Sequence, residues 1–232
     1  MIPRHWAHTL PDDWADLDRA FRTRDAGDPA LIAQWEAAVA EVAGTPHTAA
    51  VSSGRRGMTL IFQHLGVGPG DEVIVPAYTL ADLIPLIEAL GARAVPADID
   101  LETFNLLPEA VGQRITPKTK TIMVLHAFGA PSAVDRILEV ARPAGIPVIE
   151  DCAHALGATL GGRPVGSFGH AAFFSFEPTK PVNTFGGGMV TSRDETMIAG
   201  VREKTASGDE SLEALRKKTK AVRMEQLSLI HI

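Results

Sequence analysis

The chain has 232 residues and a formal net charge of −6, with the apolar and charged content of an ordinary soluble globular protein. Because it carries no basic excess to neutralise phosphates, the charge argues against a nucleic-acid-binding protein. The length suits one large domain, or one domain and part of another, and no apolar run approaches the roughly 18 residues needed to span a bilayer.

Helix and strand patterns alternate along most of the chain. Residues 1–27 show no clear periodic pattern, and we treat them as an N-terminal segment. The first predicted helix has Asp28 as its N-cap and Pro29 as its first residue, and it ends at Gly44. Later predicted helices include residues 58–65, 81–90, 108–114 and 134–142, and another follows Asp194. The predicted strands are 48–52, 72–75, 94–96, 121–126, 147–150, 171–176 and 189–191.

This alternation predicts a mostly parallel sheet with helices on both faces, because each right-handed βαβ crossover places a helix between parallel strands. The predicted fold class is therefore α/β, with one large domain over residues 28–208. Ligands of such sheets bind beyond the carboxyl ends of the strands. Four candidate groups follow strand ends: Ser53 with Gly54, Tyr78 with Thr79, Asp151 with His154, and Ser175 with Lys180.

The Ser53-Gly54 turn is predicted to lead directly into a helix. The free N–H groups and the dipole of a helix N-terminus favour an anion, although an ordinary N-cap is an equally good interpretation. The glycines of residues 66–76 come before a strand, whereas a dinucleotide-binding loop needs them after a strand and at the start of a helix. Neither this loop nor a Walker A sequence is therefore present to bind a nucleotide.

Lys180 follows the apolar strand 171–176 through a short polar turn, and Pro181 prevents a helix from continuing past it. Three glycines at 186–188 then allow the backbone to approach a ligand closely. A single amine at the end of a strand suits Schiff-base chemistry. The alternative is a solvated surface lysine followed by an ordinary glycine turn.

Pyridoxal phosphate is a cofactor that needs a lysine, a carboxylate and a phosphate site at neighbouring strand ends. The lysine carries its aldehyde as a Schiff base, the carboxylate keeps its pyridine nitrogen protonated, and N–H and hydroxyl donors hold its phosphate. Lys180, Asp151 and the Ser53-Gly54 turn fit these three roles. His154 is too isolated from other metal-ligating residues to indicate a metal site, and we expect none.

Seven motifs in unbroken order over residues 28–195 resemble those of the DegT/DnrJ/EryC1/StrS aminotransferases. The motifs are VSSG at 51–54, GPGDEVIVPAYT at 68–79, GARAVPADID at 91–100, ITPKTKTIMVLHAFG at 115–129, VIEDCAHALGA at 148–158, GRPVGSFG at 162–169, and FFSFEPTK at 173–180 followed by GGGMVTS at 186–192. The resemblance implies the three-layer large domain of a fold-type-I transferase that binds pyridoxal phosphate.

The resemblance also implies roles for individual residues. Lys180 matches the Schiff-base lysine, Asp151 the partner of the pyridinium nitrogen, and His154 the residue beside the cofactor ring. Ser175 matches a phosphate-binding serine, and residues 54–55 match the loop whose backbone N–H groups hold the same phosphate. The predicted catalytic residues are Lys180 and Asp151, and the predicted cofactor-binding residues are Ser53, Gly54, Arg55, Tyr78, Asp151, His154, Ser175 and Lys180.

Three positions depart from the family pattern. Arg55-Arg56 stands where the family commonly has a small pair such as Thr-Ala, and it adds two cations near the phosphate site. Leu80 replaces an aromatic residue that stacks on the cofactor; Tyr78 is the alternative stacking residue, although strand alternation points it in another direction. The glycines at 186–188 stand where most members have GEGG or GDGG, so an acidic residue is absent.

The resemblance implies transfer of an amino group from glutamate to a nucleotide-linked keto sugar, in polysaccharide, lipopolysaccharide or secondary-metabolite biosynthesis. A sugar dehydratase of the same family is the nearest alternative, and Lys180 argues against it because that branch commonly has histidine there. A non-catalytic binding or regulatory protein is the other alternative. Family members act as homodimers, and we expect the full-length protein to do so.

Residues 209–226 are predicted to form a charged connecting helix, and we expect the small C-terminal domain of the family to be missing. One back-translation of the last six residues, LSLIHI, resembles a sequencing adapter, which predicts a truncated reading frame. A truncated chain is expected to show low stability and little turnover. Cys152 has no partner for an internal disulfide and no export signal opens the chain, so we expect a cytoplasmic protein.

Overall fold

The computed structural model describes residues 12–23 and 28–206, which contain one seven-stranded sheet. Its strands are β1 His47–Val51, β2 Glu72–Pro76, β3 Arg93–Ala97, β4 Thr119–Leu125, β5 Val148–Asp151, β8 Ala171–Ser175 and β9 Gly188–Ser192. Two short strands, β6 Thr159–Leu160 and β7 Arg163–Pro164, pair separately as an antiparallel hairpin. The strand order in the sheet is β1-β9-β8-β5-β4-β2-β3.

Only β9 runs against its neighbours within this sheet. It pairs antiparallel with β1 and with β8, whereas the pairs from β8 to β3 are all parallel. The predicted mostly parallel α/β sheet is therefore confirmed. Because β9 is reversed, its first residue, Gly188, lies at the edge where the other strands have their carboxyl ends.

The helices cover both faces of this sheet. They are α1 Asp13–Thr23, α2 Pro29–Ala43, α3 Gly54–His64, α4 Leu83–Ala89, α5 Pro108–Arg114, α6 Val134–Ala141 and α7 Glu195–Ala206. The apolar side chains of α3, α4 and α7 form one core with alternate strand residues, and those of α2, α5 and α6 form the core on the opposite face. No helix within residues 12–23 and 28–206 has both the length and the apolar character required to cross a membrane.

The alternation of side chains along each strand explains the two cores. Phe173 of β8 packs into the core on the α3 side, and the next residue, Phe174, packs into the core on the α2 side. All five residues of β2 are buried, as expected for a central parallel strand that has helices on both faces. The three predicted layers follow from this burial pattern.

The caps predicted for α2 are present. The Asp28 side chain accepts a hydrogen bond from the Ala30 N–H at 2.8 Å, which satisfies one of the free donors of the first turn. Gly44 adopts a left-handed conformation with φ of 64°, which glycine reaches without steric cost. The local sequence therefore sets both ends of this helix.

The expectation that residues 1–27 contain no regular element is wrong for 13–23, which form α1. Helix α1 is mostly solvent-exposed, and Trp14, Leu17 and Ala20 recur along it at a spacing of three, a short apolar pattern that the sequence analysis did not recognise as helical. Its charges also favour a helix: Asp13 and Asp16 lie in the first turn and Arg22 in the last, which complements the helix dipole. The helix predicted over 209–226 lies outside the described residues.

Candidate active site

A cavity of about 680 Å³ lies at the sheet edge where the parallel strands end. It is lined by residues that follow β1, β2, β4, β5 and β8. All eight residues predicted to bind the cofactor contribute to its wall: Ser53, Gly54, Arg55, Tyr78, Asp151, His154, Ser175 and Lys180. The fold thus brings together groups that are separated by up to 127 positions in the sequence, because all of them follow carboxyl ends of strands that meet at one edge.

Lys180 projects its amine into this cavity from the turn after β8. The turn is closed by a hydrogen bond from the Lys180 N–H to the Glu177 carbonyl at 2.9 Å, and the side-chain Nζ lies 2.9 Å from His154 Nε2. Partial burial lowers the pKa of Lys180, while Asp151 and Glu177 oppose that shift and Arg55 adds to it. More of the amine is therefore uncharged and nucleophilic at neutral pH than in an ordinary lysine.

Asp151 is the last residue of β5 and is buried beside the amine. Burial raises its pKa to about 6, and the Ala153 N–H, which donates to Oδ1 at 3.0 Å, together with the charge of the nearby Lys180, limits the rise. A buried carboxylate is poorly solvated, so a cation that binds next to it stabilises it more than it would stabilise an exposed carboxylate. A protonated ring nitrogen is a cation that could stabilise the Asp151 carboxylate in this way.

Asp151→Asn is expected to stabilise the ligand-free protein at pH 8 by about 3 kcal/mol, because the shift from 3.8 to about 6 measures the cost of burying the charged form. The folded state binds the extra proton, so the gain should disappear as the pH falls through 6 towards 4. Urea unfolding of both proteins at pH 8 and pH 4.5 measures this. A stabilisation that is the same at both pH values would contradict the stated cause.

His154 lies between the amine and a group of aromatic rings. Burial and the charge of Lys180 lower the pKa of His154, so the ring is neutral and its Nε2 can accept a hydrogen bond from the lysine. The Phe128 ring is nearly parallel to it, with an interplanar angle of 10° and 6.2 Å between centroids. His154 Nδ1 and Thr79 Oγ1 have no hydrogen-bond partner within the described residues, which leaves both available to a ligand.

The N-terminus of α3 forms another wall of the cavity. Ser53 caps the helix by accepting a hydrogen bond from the Arg56 N–H at 3.1 Å. Gly54 permits the close approach of β8, because a Cβ at this position would lie 3.0 Å from the Ser175 Cβ. Gly188 of β9 permits a second close approach, because a Cβ there would lie 2.6 Å from the Gly54 nitrogen. The backbone can therefore surround a small anion here, with the helix dipole favouring negative charge.

The positions that depart from the family pattern have distinct surroundings. Leu80 is 56% exposed and offers the cavity an aliphatic side chain in place of a ring. The Tyr78 ring packs against Phe104 and Phe128, with centroid distances of 5.1 and 5.9 Å. Arg55 forms an ion pair with Asp82, from Nη1 to Oδ2 at 2.9 Å.

Phe104, Phe128 and Asn105 were missed by the sequence analysis. Phe104 and Phe128 have φ values of 60° and 53°, a left-handed conformation that is strained for aromatic residues. The buried Asn105 joins their two turns, since its Oδ1 accepts from the Ala127 N–H at 2.9 Å and its Nδ2 donates to the Ala130 carbonyl at 3.1 Å. No local sequence signal marks a phenylalanine for this conformation.

A buried group of His126, Glu150 and Cys152 brings potential metal ligands together, with their ligand atoms within 4.8 Å of one another. Hydrogen bonds already occupy the first two. His126 Nδ1 accepts from the Ser132 N–H, so the ring proton lies on Nε2 and is donated to Glu150 at 3.1 Å. Glu150 also accepts three backbone N–H groups. The group therefore fastens β4 and β5 to the turn before β8.

The mostly parallel sheet with helices on both faces is the α/β fold of the large domain of a fold-type-I aminotransferase. Residues 23–227 match the model of the DegT/DnrJ/EryC1/StrS aminotransferase family. The chain belongs to this family. Members of the family use pyridoxal phosphate. Solved structures of a sugar aminotransferase from Streptococcus pneumoniae show its PLP and PMP forms. The PLP form matches with a TM-score of 0.79 and 29% identity, over 87% of this chain and 57% of that one.

Two curated proteins are similar to the chain over about two thirds of its length or more. GDP-perosamine synthase of Caulobacter vibrioides is 42% identical over 172 residues, which are 74% of this chain and 46% of that protein. 3-Amino-5-hydroxybenzoate synthase of Amycolatopsis mediterranei is 41% identical over 151 residues, which are 65% of this chain and 39% of that protein. The chain thus spans less than half the length of these two relatives.

Solved structures give the same fold. An aminotransferase from Psychrobacter cryohalolentis matches with a TM-score of 0.81 and 34% identity, over 85% of this chain and 51% of that one.

Proposed function

We propose that the chain provides the cofactor-binding domain of an aminotransferase that moves an amino group from glutamate to a nucleotide-linked keto sugar. The observation that carries the proposal is the Lys180 amine, 2.9 Å from His154 in a cavity that also contains Asp151 and the α3 N-terminus. In the full-length protein we propose a homodimer that acts in the cytoplasm, as the family resemblance implies.

The residues that line the cavity fit the cofactor. Lys180 supplies the amine that binds its aldehyde, and Asp151 supplies a buried carboxylate for its ring nitrogen. Ser53, Gly54 and Ser175 surround the position suited to its phosphate. When bound, pyridoxal phosphate supplies an electron-accepting ring that stabilises negative charge on the carbon next to the amino group.

Lys180 is the proposed base of the reaction. With its pKa lowered by burial, its Nζ can take the proton from the α-carbon of glutamate and later return a proton to the carbon of the acceptor. His154 Nε2 accepts a hydrogen bond from the same amine and so fixes its direction. A dehydratase that replaces this lysine would lack that base, and the presence of Lys180 therefore supports amine transfer.

The relatives suggest the class of acceptor. GDP-perosamine synthase is named for a nucleotide-linked amino sugar, whereas the name of 3-amino-5-hydroxybenzoate synthase describes an aromatic amine. We choose the nucleotide-linked keto sugar because the family relatives include GDP-perosamine synthase and a DesI structure that contains its TDP-sugar product. If the protein transferred its amino group to a carbocyclic ketone and not to a nucleotide-linked keto sugar, the proposed acceptor would be wrong.

The test separates the two half-reactions. The protein is loaded with pyridoxal phosphate, the excess is removed, and glutamate is added while the absorbance of the lysine-bound cofactor and the formation of 2-oxoglutarate are followed. We expect the band to disappear with one equivalent of 2-oxoglutarate, and GDP-linked or TDP-linked keto sugars to restore it. A cofactor-loaded protein that glutamate leaves unchanged, while another amino donor converts it, would contradict the proposed donor.

A further inference from the structure

Arg55 presents a cation to the end of the cavity formed by α3. It is the second residue of that helix and lines the cavity, and its Nη1 lies 2.9 Å from Oδ2 of Asp82, which lines the cavity as well. The guanidinium retains further N–H donors beyond the one directed at Asp82. The next residue, Arg56, carries the same charge but does not line the cavity.

The charged residues that line the cavity single out Arg55 as a cation that could bind a phosphate. Of the described residues that line the cavity, only Arg55 and Lys180 carry side chains that are cations at neutral pH by their ordinary chemistry. Carboxylates of Asp82, Asp151 and Glu177 line it as well. Because Lys180 is used by the aldehyde of the cofactor, Arg55 is the remaining side-chain cation that can balance a phosphate dianion.

We propose that the Arg55 side chain, positioned by Asp82, binds the phosphate of the cofactor together with the α3 N-terminus. This inference rests on the proposed function, since it assumes that pyridoxal phosphate occupies the cavity. It adds a chain-specific contact, because a guanidinium stands where the family commonly has a small side chain.

The geometry allows the Arg55 guanidinium to donate to Asp82 and to a phosphate at the same time. Both partners are about half exposed or more, with 49% of the Arg55 side chain and 63% of the Asp82 side chain accessible, so the ion pair itself contributes little stability. A planar guanidinium can donate to a carboxylate along one edge and to a phosphate along another. Asp82 then orients the guanidinium towards the cavity.

The experiment compares aldehydes with and without a phosphate. Ligand-free wild-type, Arg55→Gln and Arg56→Gln proteins are titrated with pyridoxal phosphate and with pyridoxal, and the lysine-bound absorbance gives each Kd. We expect Arg55→Gln to weaken pyridoxal phosphate by about tenfold or more and to leave pyridoxal within about twofold. Arg56→Gln, the matched control, should leave both within about twofold.

Calorimetry with inorganic phosphate gives a readout that needs no cofactor. The wild-type and Arg56→Gln proteins should bind phosphate, with an affinity that falls as salt is added, and Arg55→Gln should bind about tenfold more weakly. Asp82→Asn should weaken pyridoxal phosphate in the wild-type background and have no effect in the Arg55→Gln background, since the two residues act as a unit.

Three results would overturn the inference. They are equal weakening of pyridoxal and pyridoxal phosphate by Arg55→Gln, unchanged binding of pyridoxal phosphate and inorganic phosphate by that variant, or the same loss in Arg56→Gln. If the wild-type protein forms no lysine-bound species with either aldehyde, the proposed function fails instead, and phosphate calorimetry still decides whether Arg55 binds the anion.

Discussion

Lys180→Ala in the cofactor-loaded protein is expected to slow the glutamate half-reaction by about 10⁴-fold or more. The variant loses both the amine that holds the aldehyde and the base that moves the proton. The cavity and its other charged groups remain, so pyridoxal phosphate should still bind, without the lysine-bound absorbance band. Stopped-flow absorbance after mixing with glutamate measures the rate.

Lys118→Ala is the matched control for this prediction. Lys118 is exposed and immediately precedes β4, at the sheet edge opposite the cavity, so its removal should change the rate by less than about twofold. Added methylamine should partly restore the proton transfer in Lys180→Ala, because a small amine can enter the space left by the side chain. A rate within tenfold of wild type in Lys180→Ala would contradict the role assigned to this residue.

Glu150→Gln is expected to lower the free energy of unfolding by about 4 kcal/mol. The Glu150 carboxylate accepts four N–H groups, from His126 and from the backbone at 166, 168 and 169, with distances of 2.7 to 3.1 Å. A glutamine has one acceptor oxygen, and its NH₂ group would face N–H donors in a fully buried position. At least two donors would lose their acceptor in either orientation of the amide.

Urea unfolding of Glu150→Gln and of Glu109→Gln provides the comparison. Glu109 forms an ion pair with Arg136 in which both side chains are about 60% exposed, so its replacement should change stability by no more than about 0.5 kcal/mol. A loss below about 1 kcal/mol in Glu150→Gln would show that the buried acceptors can be replaced, and the account of this group would be wrong.

Elements with a local signal could be predicted from the sequence. Helix α2 has an N-cap at Asp28 and a left-handed glycine at Gly44, and the structure places its ends there. Helix α5 has the predicted bounds Pro108–Arg114, because a proline at its start and an apolar spacing within it are both local features. The central strands β2, β4 and β5 were found within a few residues because each is a short apolar run that is buried over most or all of its length.

Contacts between distant segments could not be predicted in the same way. The Asn105 side chain joins turns that lie 22 to 25 positions apart, and Arg55 meets Asp82 across 27 positions. Such pairs depend on the register and twist of the sheet, which the local pattern does not determine. Seven of the eight predicted site residues were gathered by a topological rule, and Arg55 was added by the family resemblance. Their orientations, and the left-handed Phe104 and Phe128, required the structure.

The central claim is that Lys180 binds the aldehyde of pyridoxal phosphate, and borohydride reduction followed by peptide mass spectrometry tests it most directly. Reduction makes the bond between an amine and the aldehyde permanent, so the modified residue can be identified. The account predicts one modified peptide, the one that contains Lys180, and no modification at that position in Lys180→Ala. A folded protein that shows no modification, or one whose modification lies on exposed lysines such as Lys118, would contradict it.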